Sequence, residues 1–128
     1  MPVRGIRGAI DVAKNDREEI LSKTRLLLEA MIRENGVKAP AVAAAIFSLT
    51  ADLDAEFPAI AARQLGWTDV PLMCCQELKV PGSMAKVVRI LLLVNTARPA
   101  KKIRHQYLGK TPRLRPDLAG KAAEGEKS

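Results

Sequence analysis

An arginine stands inside the most apolar run of the chain. Arg89 interrupts Val87, Val88, Ile90, Leu91, Leu92, Leu93 and Val94, a stretch that otherwise reads as a buried strand. A guanidinium stays charged at every physiological pH, and removing it from water costs several kcal/mol unless acceptors meet it. An anion therefore has to lie opposite, either a carboxylate of the protein or one belonging to a ligand. More arginines lie beside apolar strand-like residues: Arg4 and Arg7 in Val3-Arg4-Gly5-Ile6-Arg7-Gly8, and Arg115 in Leu114-Arg115-Pro116. With several forks and few acids close to them in sequence, a ligand is the better match. Glu77, near the end of its own strand-like run, and the phenol of Tyr107 complete the polar set. Such a set suits a small dicarboxylate, because bidentate arginines fix both charge and orientation, which lysine, a mobile point charge, does less well.

Other chemistries lack their sequence signs. There is no P-loop, no GxGxxG, no CxxC pair and no HExxH, so phosphate-loop, dinucleotide and common zinc chemistry are not indicated. The single histidine, His105, has no evident serine or cysteine partner, which leaves proton-relay and covalent catalysis without support; it reads as structural or exposed. Cys74 and Cys75 are adjacent, so they cannot staple distant segments, and neighbours on a strand point to opposite faces. They read as inert thiols of a reducing compartment. No apolar stretch approaches the roughly 18 residues of a membrane span, and Met1-Pro2-Val3-Arg4 lacks the apolar block of a secretion signal. A cytoplasmic protein with no membrane partner is expected.

A formal net charge of +7 raises nucleic acid as a partner until the charge is located. Residues 98–128 hold nine Lys/Arg against three acids, whereas residues 1–97 hold twelve against eleven. The folded part is thus nearly neutral, and aromatics, at 3% of residues, are too few to interleave stacking platforms for bases. No nucleic-acid partner is expected. The rival from another class is a small basic protein using its C-terminal segment on RNA or an acidic partner. Deleting residues 119–128 separates the two, abolishing polyanion binding under the rival and sparing turnover under an enzyme reading.

The elements that must position these groups follow from pattern. At 128 residues the chain is one domain, small enough to gain from association with copies of itself. Residues 3–12 read as a strand in which Gly5 and Gly8 allow close backbone approach. Asp16 caps a long helix, and Glu19 completes a capping box. Ile20, Thr24, Leu27, Leu28, Met31 and Ile32 share one face of it, and Asn35-Gly36 is the stop. Residues 41–50 carry alanines that favour helix, but Val42, Ile46, Phe47 and Leu49 in so short a run predict a buried strand. Phe57-Pro58 opens a short helix that carries Arg63 and ends at Gly66. Residues 70–78 and 86–95 read as strands about a turn at Pro81-Gly82-Ser83, the second of them central, and their short link predicts antiparallel pairing with each other. Residues 103–108 alternate like an edge strand, and the polar stretch 119–128 has the composition of a disordered tail.

Taken in order, Arg4-Gly5-Ile6-Arg7-Gly8-Ala9, Phe57-Pro58-Ala59 with Arg63, Val70-Pro71 leading to Cys74 and Gln76-Glu77, Arg89, Arg104-His105-Gln106-Tyr107-Leu108 and Leu114-Arg115-Pro116-Asp117-Leu118 resemble the monofunctional chorismate mutases of the trimeric, β-sheet-containing class. The resemblance covers residues 3–118, taken as a single domain. It implies an α+β fold, with a mixed β-sheet packed against one long and one short helix, and a homotrimer forming a pseudo-α/β barrel with active sites in clefts between neighbours. It also implies an isomerase of aromatic amino-acid biosynthesis that converts chorismate to prephenate without cofactor or metal. By similarity, Arg89 and Glu77 are the catalytic pair. Arg7 and Tyr107 grip substrate, and Phe57, Ala59, Arg63, Met73, Cys74, Leu114 and Arg115 line or close the pocket. Two departures stand out: Ile60 replaces a lysine and Met73 a threonine of the best-known relatives, so a peripheral polar contact is missing on that wall. The turn at Gly66-Trp67 is one residue shorter, which should leave the site intact. The implied reaction is a one-step pericyclic shift that needs no base, nucleophile or cofactor, in keeping with the missing motifs. Its demands are conformer selection and a donor for the ether oxygen on which negative charge grows.

Overall fold

Five strands share one sheet. In the computed structural model, which describes residues 1–117, these are β1 (Val3–Asp11), β2 (Val42–Leu49), β3 (Leu72–Gln76), β4 (Val87–Asn95) and β5 (Gln106–Tyr107), in the order β3-β2-β4-β1-β5. The central β4 runs antiparallel to β1 and to β2, while β3 is parallel to β2 and β5 parallel to β1. The fold is therefore α+β with a mixed sheet. Residues 41–50, ambiguous by composition, are strand. The expected antiparallel pairing of the two strands about Pro81-Gly82-Ser83 does not occur, because β2 lies between β3 and β4. Residues 77–86 form too long a link for a tight hairpin. Both edges of β4 are taken by the longer β1 and β2, which bury more than the short β3 could.

Helix α1 (Arg17–Asn35) starts and stops where local chemistry directs. The Asp16 carboxylate accepts from the Glu19 backbone N–H at 3.1 Å, and Gly36, at φ 60, donates back to the Ile32 carbonyl. The reciprocal half of the capping box is absent: Glu19 accepts from the Ala13 N–H at 3.3 Å, and the Asp16 N–H goes to the Lys14 carbonyl. Ile20, Leu27, Leu28 and Met31 are fully buried against the sheet. Gly8 explains how closely helix and sheet approach, since a Cβ there would run into the Met31 sulfur and come within 3.0 Å of a Leu27 methyl. The short α2 (Ile60–Gln64) packs on α1, and Gly66, at φ 93, turns the chain so that Trp67 is buried.

Among the described residues, α1 covers one face of the sheet. Ile6 and Ile10 of β1, Ala45 and Phe47 of β2, and Val88, Ile90, Leu92 and Val94 of β4 form the core beneath α1. The strand that reads as buried throughout is buried on alternate residues: Arg89, Leu91 and Leu93 are half-exposed on the open face. Of residues 103–108, only Gln106 and Tyr107 pair as a strand. The segment before them is tied to the end of α1 by Asn35, whose side chain accepts from the Arg104 N–H at 2.8 Å and donates to the Arg104 carbonyl at 2.9 Å. Among the described residues no helix is long and apolar enough to cross a membrane. The stretch 119–128, expected to be disordered, lies outside the described residues.

Candidate active site

Strand register brings the polar residues into rows on the open face. Cys75, Ser48, Arg89, Ala9 and Tyr107 are successive cross-strand partners, and Met73, Ile46, Leu91 and Arg7 form the next row. Directly opposite residues share a face with Cβ atoms about 5 Å apart, so Arg7, Arg89 and Tyr107 converge although 100 residues separate the first from the last. Over them lies a cleft of about 470 Å³, also lined by Leu114 and Arg115.

Among the described residues, Arg89 has a protein carboxylate on one edge only. Its Nε donates to both oxygens of Glu77, at 2.9 and 3.1 Å, and the Ser48 hydroxyl donates to Glu77 Oε2 at 2.6 Å. Glu77 is anchored in turn by its backbone N–H on the Leu49 carbonyl at 2.8 Å. Neither terminal nitrogen of Arg89 donates a hydrogen bond among the described residues. Of the two sources of negative charge that the sequence left open, the protein's own carboxylate takes Nε, and the outer edge faces the cleft. The Arg89 side chain keeps 38% of its exposure, so in a single chain the group is wet rather than dry.

The C-terminal segment closes one side. The Arg7 backbone N–H donates to His105 Nδ1 at 2.9 Å, which makes the lone histidine a structural acceptor. The buried Thr111 hydroxyl lies 3.0 Å from the Ala9 carbonyl and 2.7 Å from that of Leu108, and Asp11 accepts from the Lys110 N–H at 2.7 Å. The 3₁₀ turn Thr111–Leu114 then sets Arg115 at the rim. There its fork donates to both oxygens of Asp117, at 3.1 and 3.0 Å, and that pairing raises the guanidinium pKa above its ordinary value.

The remaining candidates gather elsewhere. Cys74 is the cross-strand partner of the buried Phe47, so it faces the helix side, away from Arg89. Burial pushes its thiol pKa up, against the opposing pull of the Ala59 backbone N–H and the Arg63 charge. Ala59, Arg63 and Cys74 thus meet at the β3 edge, where Phe57 and Met73 are 67% and 60% exposed. One chain therefore carries two patches, a face patch of Arg7, Glu77, Arg89, Tyr107, Leu114 and Arg115 and an edge patch of Phe57, Ala59, Arg63 and Cys74, with Met73 on the open-face side of β3 in the row of Arg7. Ser48 and the apolar cleft residues Ile46 and Leu91 escaped the sequence reading. The only signal was one hydroxyl in an apolar strand, and its partner depends on register.

A family model described as chorismate mutase type I matches residues 3–118. The chain belongs to that family. It is 50% identical over 117 residues to the chorismate mutase AroH of Thermus thermophilus, covering 91% of this chain and 96% of the relative. It is 48% identical over 120 residues to the AroH of Bacillus subtilis (strain 168), covering 93% and 94%. A solved chorismate mutase from Clostridium thermocellum superposes with a TM-score of 0.85 at 45% identity, over 86% of this chain and 98% of the other. Both the fold and the family match thus agree with the chorismate mutase reading.

Proposed function

We propose that this chain is a chorismate mutase converting chorismate to prephenate, in clefts that form between the subunits of a homotrimer in the cytoplasm. The observation that carries the reading is the half-used guanidinium of Arg89. Its Nε is locked on Glu77, and its outer edge points into a cleft shared with Arg7 and Tyr107. In the rearrangement an ether carbon–oxygen bond breaks as a carbon–carbon bond forms, and negative charge grows on the oxygen. The outer nitrogens of Arg89 meet that charge, a contribution of about 3 to 4 kcal/mol for a preorganised donor. Glu77 has about four lone-pair sites, of which Arg89 and Ser48 fill three, so one remains for the substrate hydroxyl. Arg7, Tyr107 and Arg115 take the carboxylates, Arg115 exchanging Asp117 for substrate. Conformer selection supplies much of the remaining acceleration.

Three subunits complete the site. The open sheet face is half apolar, with Ile46, Leu91 and Leu93 half-exposed, and the β3 edge is exposed at Phe57 and Met73. A neighbour's edge laid on this face buries both, excludes water from Arg89, and supplies Phe57, Ala59, Arg63, Met73 and Cys74 as the second wall. The free state of Cys74 and Cys75 suits a reducing compartment. Mixing purified protein with chorismate, and following its loss and the appearance of prephenate, tests the activity; absence of turnover at micromolar enzyme overturns it. Sedimentation tests the assembly, which should have the mass of three 13.9 kDa chains.

A further inference from the structure

We propose that Ser48 is a positioning residue for this reaction, holding the Glu77 carboxylate in the one orientation that turns the outer edge of Arg89 toward the cleft. The inference rests on the chorismate mutase reading and deepens it. Ser48 is the cross-strand partner of Arg89 on one side and of Cys75 on the other, so its hydroxyl sits between the strand that delivers Arg89 and the one that delivers Glu77. Glu77 lies just past the end of β3, where the ladder no longer restrains it beyond its N–H on Leu49. A glutamate at a strand end has several rotamers open to it. The 2.6 Å bond from Ser48 to Oε2 selects the one in which both oxygens receive Arg89 Nε. With that bond removed, Glu77 can turn toward solvent, Arg89 is freed from its fixed edge, and the donors aimed at the ether oxygen lose their preorganisation. Binding of the substrate carboxylates, which falls to Arg7, Tyr107 and Arg115, does not pass through Ser48.

The test compares Ser48→Thr with Ser48→Val, two side chains of nearly the same shape that differ in the hydroxyl and both suit a strand. Relative to wild type, Ser48→Val should lower kcat by about tenfold or more, as for a hydrogen bond to a charged group, with KM within about twofold and an unchanged unfolding midpoint. Ser48→Thr should retain most of kcat. In a Glu77→Ala background the Thr/Val difference should vanish, because the hydroxyl then has no carboxylate to hold. Equal kcat for Ser48→Val and Ser48→Thr, or a difference that persists without Glu77, overturns the assignment. If Ser48→Val fails to fold, Ser48→Ala takes its place with the same criteria. Wild type without activity on chorismate refutes the underlying reading instead, so the two failures are distinguishable.

Discussion

Arg89 is useful because its two edges do different work. Nε is tied to Glu77 at 2.9 Å, which sets the plane of the guanidinium, and the outer nitrogens donate to no group among the described residues. Lysine keeps the charge and can still reach Glu77, but it has no second edge in a fixed plane. Arg89→Lys should therefore lower kcat by about 10² to 10³, the loss of one preorganised donor. Stability should change by less than about 1 kcal/mol, since the ion pair is partly exposed. Parallel measurement of turnover and of urea unfolding checks both halves. Equal damage to stability and to rate would make Arg89 a structural arginine.

At the scale of elements, the C-terminal segment depends on β1 for its place. Thr111 is fully buried with its hydroxyl on the Ala9 and Leu108 carbonyls, and three residues later the chain delivers Leu114 and then Arg115 to the cleft. Thr111→Val keeps the shape and removes the hydroxyl, so it should cost about 1 kcal/mol. The expected signature is a lower urea midpoint at constant m-value together with a raised KM, because the loosened turn carries the rim arginine. An unchanged KM would show that the rim is placed by other contacts. The elements differed in how far sequence revealed them. Helix α1 was legible because Asp16 and Gly36 act within a few residues of the ends they define. The partners of β3 were not, since which strand occupies an edge of β4 depends on the competing lengths of β1 and β2. The apolar run around Arg89 misled for a related reason: Leu91 and Leu93 belong to a face that α1 never covers, so alternation was hidden by residues suited to a different neighbour. Arg7, Arg89 and Tyr107 were legible as residue types, but the bond from Ser48 to Glu77 exists only through register.

The whole molecule is where the two patches are reconciled. Face and edge lie apart in one chain: Cys74 points to the helix side, whereas Arg89 opens to the uncovered face. If each site joins the face of one subunit to the edge of the next, damage to the two patches can be separated onto different chains. Arg89→Ala kills the face and Arg63→Ala weakens the edge, so each variant alone should be poorly active. When the two are co-expressed in equal amounts and assemble at random, a site is intact where an Arg63→Ala subunit offers its face to the edge of an Arg89→Ala neighbour. Cyclic assembly makes that arrangement about one in four of all sites. Purification through two different tags removes the homotrimers and leaves trimers with one intact site of three, so such preparations should recover about a third of wild-type activity when assayed with chorismate. A site contained within a single chain allows no such recovery, because every chain then carries one of the two defects. Activity equal to the mean of the two parents would therefore rule out sharing between subunits, even if the protein sediments as a trimer.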